Sequence, residues 1–246
     1  MKPRSFPVPD GGRLEVHGPL EARRMIVIVG RDTFFEDEAL VAGLIAYFVS
    51  RGVAVAHYES GEAVTRRRIN PPLIRPWPRP LHVAAKLLLL LAQPTRWPHL
   101  SLRRRQVVYS LPQRARTLAK VLRFLGRDRE IFVFSRSAGG RLASLVADVA
   151  DVAGVRRMAC IGYPFQNPEE GPNPDRYAHL KDVRTPFLII QGTRDEYGGS
   201  EIVGKYPLSP HTLLEWVDAD HDFRIPDAEW TRVLERIHTF FFGEAG

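Results

Sequence analysis

Residues 131–144, Ile-Phe-Val-Phe-Ser-Arg-Ser-Ala-Gly-Gly-Arg-Leu-Ala-Ser, leave this chain few folds to choose from. An apolar run enters the turn Ser135-Arg136-Ser137-Ala138-Gly139-Gly140. Beyond it Leu142, Ala143, Leu145 and Val146 recur at helical spacing. That is a strand, a sharp turn and a helix. A turn this tight needs small residues where the two backbones cross, and Ser135, Gly139 and Gly140 are small. The apex residue, Ser137, is pushed out of the sheet to the start of the helix. There the helix dipole and the unpaired N–H groups favour a developing negative charge.

The flanking sequence repeats the same rhythm. Residues 5–18 read as two short strands joined at Asp10-Gly11-Gly12, a hairpin signal. Residues 24–30 are an apolar run suited to a strand covered on both faces, ending in Gly30-Arg31-Asp32. Ala39, Leu40, Ala42, Leu44, Ile45 and Phe48 predict a helix stopped at Arg51-Gly52, and 53–58 the next strand. From Leu111 onward come a helix over 113–125, the 131–134 strand with its turn and helix, and strands at 158–163, 186–191 and 212–217. A closing helix spans 228–242. Strand, helix and strand at this spacing imply right-handed crossovers and a parallel sheet. The expectation is an α/β fold with eight strands, the last six parallel, and helices on both faces.

Residues 61–110 break the rhythm, after the fourth strand. They hold seven prolines, Arg66-Arg67-Arg68, Arg103-Arg104-Arg105, Trp77 and Trp97. They also hold one apolar stretch, 81–92, in which only His82 and Lys86 are polar. Prolines at this density exclude a regular sheet. The segment carries ten Lys or Arg against one acidic residue, Glu62, whereas the rest of the chain carries 25 basic and 27 acidic residues. The net charge of +7 is therefore local. The expected organisation is a core of 1–60 and 111–246 bearing a basic, Pro-rich insertion of 61–110, a lid or cap.

Composition bounds the rest. A chain of 246 residues can bury one sizeable α/β core or two small ones. Its single cysteine, Cys160, excludes an intramolecular disulfide and a Cys-rich metal site, and fits a reducing cytoplasm. The first ten residues have no apolar core behind their basic residues, so no signal peptide is expected. No apolar stretch reaches the roughly 20 residues a bilayer span needs.

A serine is a weak nucleophile until a base removes its proton, and the base must be held by a third group. In open α/β sheets such groups sit on loops leaving the carboxyl ends of strands. The loop after 186–191 reads Gly192-Thr-Arg-Asp195-Glu-Tyr-Gly-Gly, and the loop after 212–217 reads Asp218-Ala-Asp220-His221-Asp222-Phe223. Asp195 as acid and His221 as base complete a set with Ser137, in a chain order known for serine hydrolases. Plainer readings exist: Asp195 as a loop cap, Asp218, Asp220 or Asp222 as the acid, His57 as a rival base, and His179, His211 and His238 as solvated residues. Three required residue types at three strand ends favour the first set. An oxyanion hole needs two converging N–H donors. Ala138, directly after Ser137, and Arg31, in the loop that Gly30 opens, are the candidates.

Ser137-Ala-Gly-Gly-Arg141, Ile161-Gly-Tyr-Pro-Phe165, Gln191-Gly-Thr-Arg-Asp195 and Asp220-His221-Asp222 together resemble the α/β-hydrolase superfamily, closest to its small bacterial branch related to dienelactone hydrolase. The resemblance covers about 23–60 and 111–242. It implies nucleophile Ser137, acid Asp195 and base His221. Two positions depart from the family pattern: Ser135 stands where glycine is usual, and Val29 where many members have histidine. The chain is thus expected to be a cytoplasmic serine hydrolase for a small carboxylic ester or thioester, needing neither cofactor nor metal. With another acceptor in place of water the same residues make an acyltransferase. A non-catalytic protein of this fold, binding a partner through the basic segment, is the competing class. A twelve-residue, mostly apolar stretch flanked by Arg and Trp suits peripheral contact with an anionic membrane. Two tryptophans among prolines do not make a nucleic-acid surface.

Overall fold

The computed structural model describes residues 3–30, 38–69, 76–92, 111–148 and 154–243. Among these, the strands are β1 (Arg4–Pro7), β2 (Arg13–His17), β3 (Arg24–Val29), β4 (Ala54–Glu59), β5 (Glu130–Arg136), β6 (Val155–Ile161), β7 (Gln166–Asn167), β8 (Gly171–Pro172), β9 (Phe187–Gly192) and β10 (Thr212–Val217). The helices are α1 (Glu38–Val49), α2 (Gly61–Ile69), α3 (Arg79–Leu91), α4 (Leu111–Leu125), α5 (Ala138–Asp148), α6 (Pro174–Tyr177), α7 (Ser200–Val203) and α8 (Asp227–Phe242). A 3-10 turn over Ala178–Asp182 comes after α6.

Eight strands form one sheet in the order β1-β2-β4-β3-β5-β6-β9-β10. The first two are antiparallel, and the six from β3 to β10 within this sheet are parallel. The chain crosses from β4 past β3 to β5, so the strand order reverses beside β3 and β5. Crevices at such switch points are where open α/β sheets hold their ligands.

The apolar runs become central strands because both faces of the sheet are covered. Along β3, Met25, Val27 and Val29 join the core that α4 and α5 cover, while Ile26 and Ile28 join the core on the opposite face with α1 and α8. Along β5 the same alternation sends Ile131 and Val133 to one core, Phe132 and Phe134 to the other. A period-two side-chain alternation with apolar residues on both sides is what a doubly covered strand requires.

Two details go beyond the expected pattern. The pair β7–β8 forms a separate two-stranded ribbon in the loop after β6. Two-residue strands have no alternation to read, so the sequence showed only a polar loop there. His57, expected near a strand end, is followed by Tyr58 and Glu59 within β4, and it lies opposite Glu15 and Ile28 in the sheet. The boundary expected at 60/61 falls at the start of α2, whose Glu62, Ala63 and Thr65 are buried. Glu62 accepts a 2.9 Å hydrogen bond from Arg114 Nε on α4, which ties this helix to the body. Of the remaining expected insertion, 76–92 contains α3, while 70–75 and 93–110 lie outside the described residues.

Candidate active site

Ser137 sits between the last residue of β5 and the first of α5 with φ of 48°, a left-handed conformation rare for a side chain larger than glycine. Close packing holds it there. A Cβ on Gly139 would collide with the Val29 carbonyl oxygen and lie 3.1 Å from Gly30 Cα; one on Gly140 would collide with Cys160 Sγ. Helix α5 thus starts pressed against the ends of β3 and β6. Ser135, in place of the glycine of the motif, is fully buried, and its hydroxyl donates to the Ala159 carbonyl at 3.1 Å. The extra side chain is accommodated because its polar group is satisfied across the sheet.

Three strand ends converge on this turn. The Ser137 hydroxyl lies 2.9 Å from His221 Nε2. His221 Nδ1 lies 3.0 Å from each Asp195 carboxylate oxygen. Asp195 is 2% exposed, and a buried carboxylate accepts hydrogen bonds. Nδ1 therefore carries the imidazole proton, and Nε2 turns its lone pair to Ser137, whose O–H donates. The carboxylate is held by two further donors: Gln191 Nε2 to Oδ2 at 2.8 Å and the Tyr197 N–H to Oδ1 at 2.8 Å. The Tyr197 ring covers the imidazole at a centroid distance of 4.3 Å. Gly162, with φ of 60°, passes close behind; a Cβ there would stand 3.5 Å from Asp195 Oδ2 and 3.6 Å from His221 Nδ1.

Four of the expected site residues are thereby located. Ser137, His221 and Asp195 are brought into one hydrogen-bonded line, and Ala138 opens α5, where helix N–H groups have no intrahelical acceptor. Arg31 lies outside the described residues. Several of the alternatives are used elsewhere. Asp218 pairs with Arg194, and Asp222 with Arg224 at 2.8 Å. His179 Nε2 is 2.8 Å from the Ser144 hydroxyl, and His238 packs between aromatic rings of α1 and α8. Desolvation, helped by His17 and Arg13, holds the His57 imidazole below its usual pKa against the opposing pull of Glu15 and Glu59.

Two supporting residues escaped the sequence reading. Gln191 is fully buried at the end of β9; besides holding Asp195, its amide brackets Tyr163, accepting from that N–H at 2.8 Å and donating to that carbonyl at 3.2 Å. Arg136, only 8% exposed, donates from Nη2 to the Asp222 carbonyl at 2.9 Å and so fastens the His221 loop to the strand that carries Ser137. Each was visible as a polar residue closing an apolar strand run, the signal that should have marked it.

The alpha/beta hydrolase domain family model matches residues 97–239. A search of curated protein sequences finds no match. Among solved structures, the dienelactone hydrolase from Anabaena variabilis is 14% identical, with 100% of each chain covered and a TM-score of 0.57. A Pyrococcus furiosus esterase is 15% identical over 100% of this chain and 93% of its own, with a TM-score of 0.56. An alpha-beta serine hydrolase homologue from Coxiella burnetii is 14% identical over 96% of both chains, with a TM-score of 0.54. At such identities the likeness is one of fold.

Proposed function

The chain belongs to the alpha/beta hydrolase domain family, and from that premise we propose that it is a serine hydrolase of small carboxylic esters or thioesters. The observation that carries the reading is the unbroken line from Ser137 Oγ through His221 to the buried Asp195 carboxylate. Ser137 attacks the acyl carbon while Nε2 of His221 takes its proton. Asp195 holds the imidazole and stabilises the cation formed. The Ala138 N–H, with a second donor from the loop after β3 for which Arg31 is the candidate, receives the negative oxygen. The tetrahedral adduct collapses, the C–O or C–S bond to the leaving group breaks, and His221 returns the proton to that group. Water, deprotonated by the same imidazole, then releases the acid from Ser137 and restores the hydroxyl.

A fluorophosphonate probe tests this directly. The wild-type protein labels at Ser137, while Ser137→Ala does not label and loses ester hydrolysis by on the order of a millionfold in kcat. A folded, monodisperse wild type that neither labels nor turns over short-chain esters would remove the hydrolase reading. The family membership would then leave a binding protein of this fold.

In the same reading, 61–110 acts as a cap on a body of 1–60 and 111–246, rooted by the buried start of α2. Replacing 76–92 by a short Gly-Ser linker is expected to shift the preferred acyl length. Unchanged preference across a series of p-nitrophenyl esters counts against the cap.

A further inference from the structure

Helix α3 is amphipathic, but it is turned the wrong way round for a helix in water. Leu81, Val83, Leu87, Leu88 and Leu91 are each between 52% and 67% exposed, and Ala84 is exposed with them. At 100° per residue these six positions share one continuous face, about 160° wide. Between Leu81 and Leu91 the only polar residues are His82 and Lys86, and both lie on the half-buried side. Helix α3 packs against α2. A solvated surface helix places its charges outward and its leucines inward. Here the outward face is a stripe of large aliphatic side chains roughly 15 Å long. Exposed apolar patches of this kind mark contact sites.

The charge of the segment that carries the stripe selects the occupant. Residues 61–110 carry ten basic residues and one acidic residue, and that acidic residue, Glu62, is buried against Arg114. Arg79 on α3 and Arg68 on α2 are exposed, Arg67 on α2 pairs with the buried Glu59, and Trp77, 45% exposed, stands just before α3. A second copy of this chain would set two such basic segments against each other. An anionic bilayer surface attracts them, accepts aliphatic side chains below its headgroups, and suits an indole at the boundary. No helix among the described residues is long and apolar enough to cross a membrane, so α3 would lie flat in the interface. We propose that the outward Leu81–Leu91 face of α3, with the exposed Arg68 and Arg79, docks the protein on the surface of an anionic lipid bilayer.

Docking through α3 does not depend on the hydrolase reading, and its test uses no activity measurement. Purified full chain is sedimented with vesicles of phosphatidylcholine alone and of phosphatidylcholine mixed with phosphatidylserine. The wild type is expected to sediment with the mixed vesicles and to bind them about tenfold less tightly when salt is raised from about 0.1 to about 0.5 M, through screening of the basic residues. Leu87→Asp with Leu88→Asp is expected to weaken that binding by roughly a hundredfold at an unchanged urea midpoint, since both positions are exposed. The milder pair Leu87→Ala with Leu88→Ala should fall between. No sedimentation of the wild type with mixed vesicles, equal binding to both vesicle types, or unaltered binding by the Asp pair each overturns the proposal. Light scattering supplies the other arm: a wild-type dimer that the Asp pair dissociates would assign the face to a second copy instead.

Discussion

Gln191 illustrates how little of a site need be charged to be chemically demanding. Its amide hydrogen donates to Asp195 Oδ2 while its oxygen accepts from the Tyr163 backbone, so a single neutral side chain sets the tilt of the carboxylate. Gln191→Leu keeps the volume and removes all three of its hydrogen bonds. It is expected to lower kcat by about tenfold to a hundredfold with little change in KM, because the reacting groups are misplaced rather than the substrate pocket. Steady-state kinetics on a short ester checks this, and a change confined to KM would contradict it. Cys160, the one thiol, plays no part in such chemistry. It is fully buried, and burial pushes its pKa up to about 12, which keeps it protonated and a packing residue against Gly140.

At the scale of elements, the turn from β5 to α5 is where backbone and function are most tightly joined. Gly139 faces the Val29 carbonyl and Gly30 so closely that any Cβ must displace the end of β3 or tilt α5. Gly139→Ala is expected to cost roughly 1–3 kcal/mol of stability and to depress ester hydrolysis, since the shift moves Ser137 and the end of β3 together. Gly204→Ala, where no atom lies within 4 Å of the new Cβ, is the matched control and should leave both unchanged. Urea titration and initial rates on the two variants distinguish a packing effect at the turn from a general loss of glycine.

The whole molecule adds a dependence on acidity. His57 lies within the sheet on β4, and His238 packs among Tyr47, Phe48 and Phe242; burial lowers both imidazole pKa values. The unfolded chain, with histidines near about 6.5, then binds protons that the folded chain refuses. Stability from these groups is complete above about pH 6.5 and is lost as pH falls towards the lowered folded values. The urea midpoint should therefore drop between about pH 7 and pH 5.5, and His57→Gln should flatten that slope. An equal slope in the variant would place the loss on other groups.

Much of this protein was legible in one dimension. Apolar runs of strand length, glycine stops and helical spacing are local consequences of backbone geometry, so the parallel sheet, its antiparallel edge and the strand–turn–helix at Ser137 could be read without a third dimension. So could Asp195 and His221 as candidates, because each follows a strand whose carboxyl end must face the same crevice. Their rivals differed from them only in direction and distance, which no spacing encodes. The fold decided among them by bringing His221 Nε2 to Ser137 and the buried Asp195 to Nδ1. It alone revealed Gln191 and Arg136 as supports, since a hydrogen bond across 85 or 86 positions of chain, or from the end of β9 to Tyr163 beyond β6, leaves no local pattern. The sense of α3 was likewise a tertiary matter. Sequence determined that 81–92 is an apolar helix, but which of its residues would stand exposed depends on its tertiary packing, and in the fold Leu81, Leu87, Leu88 and Leu91 face outward.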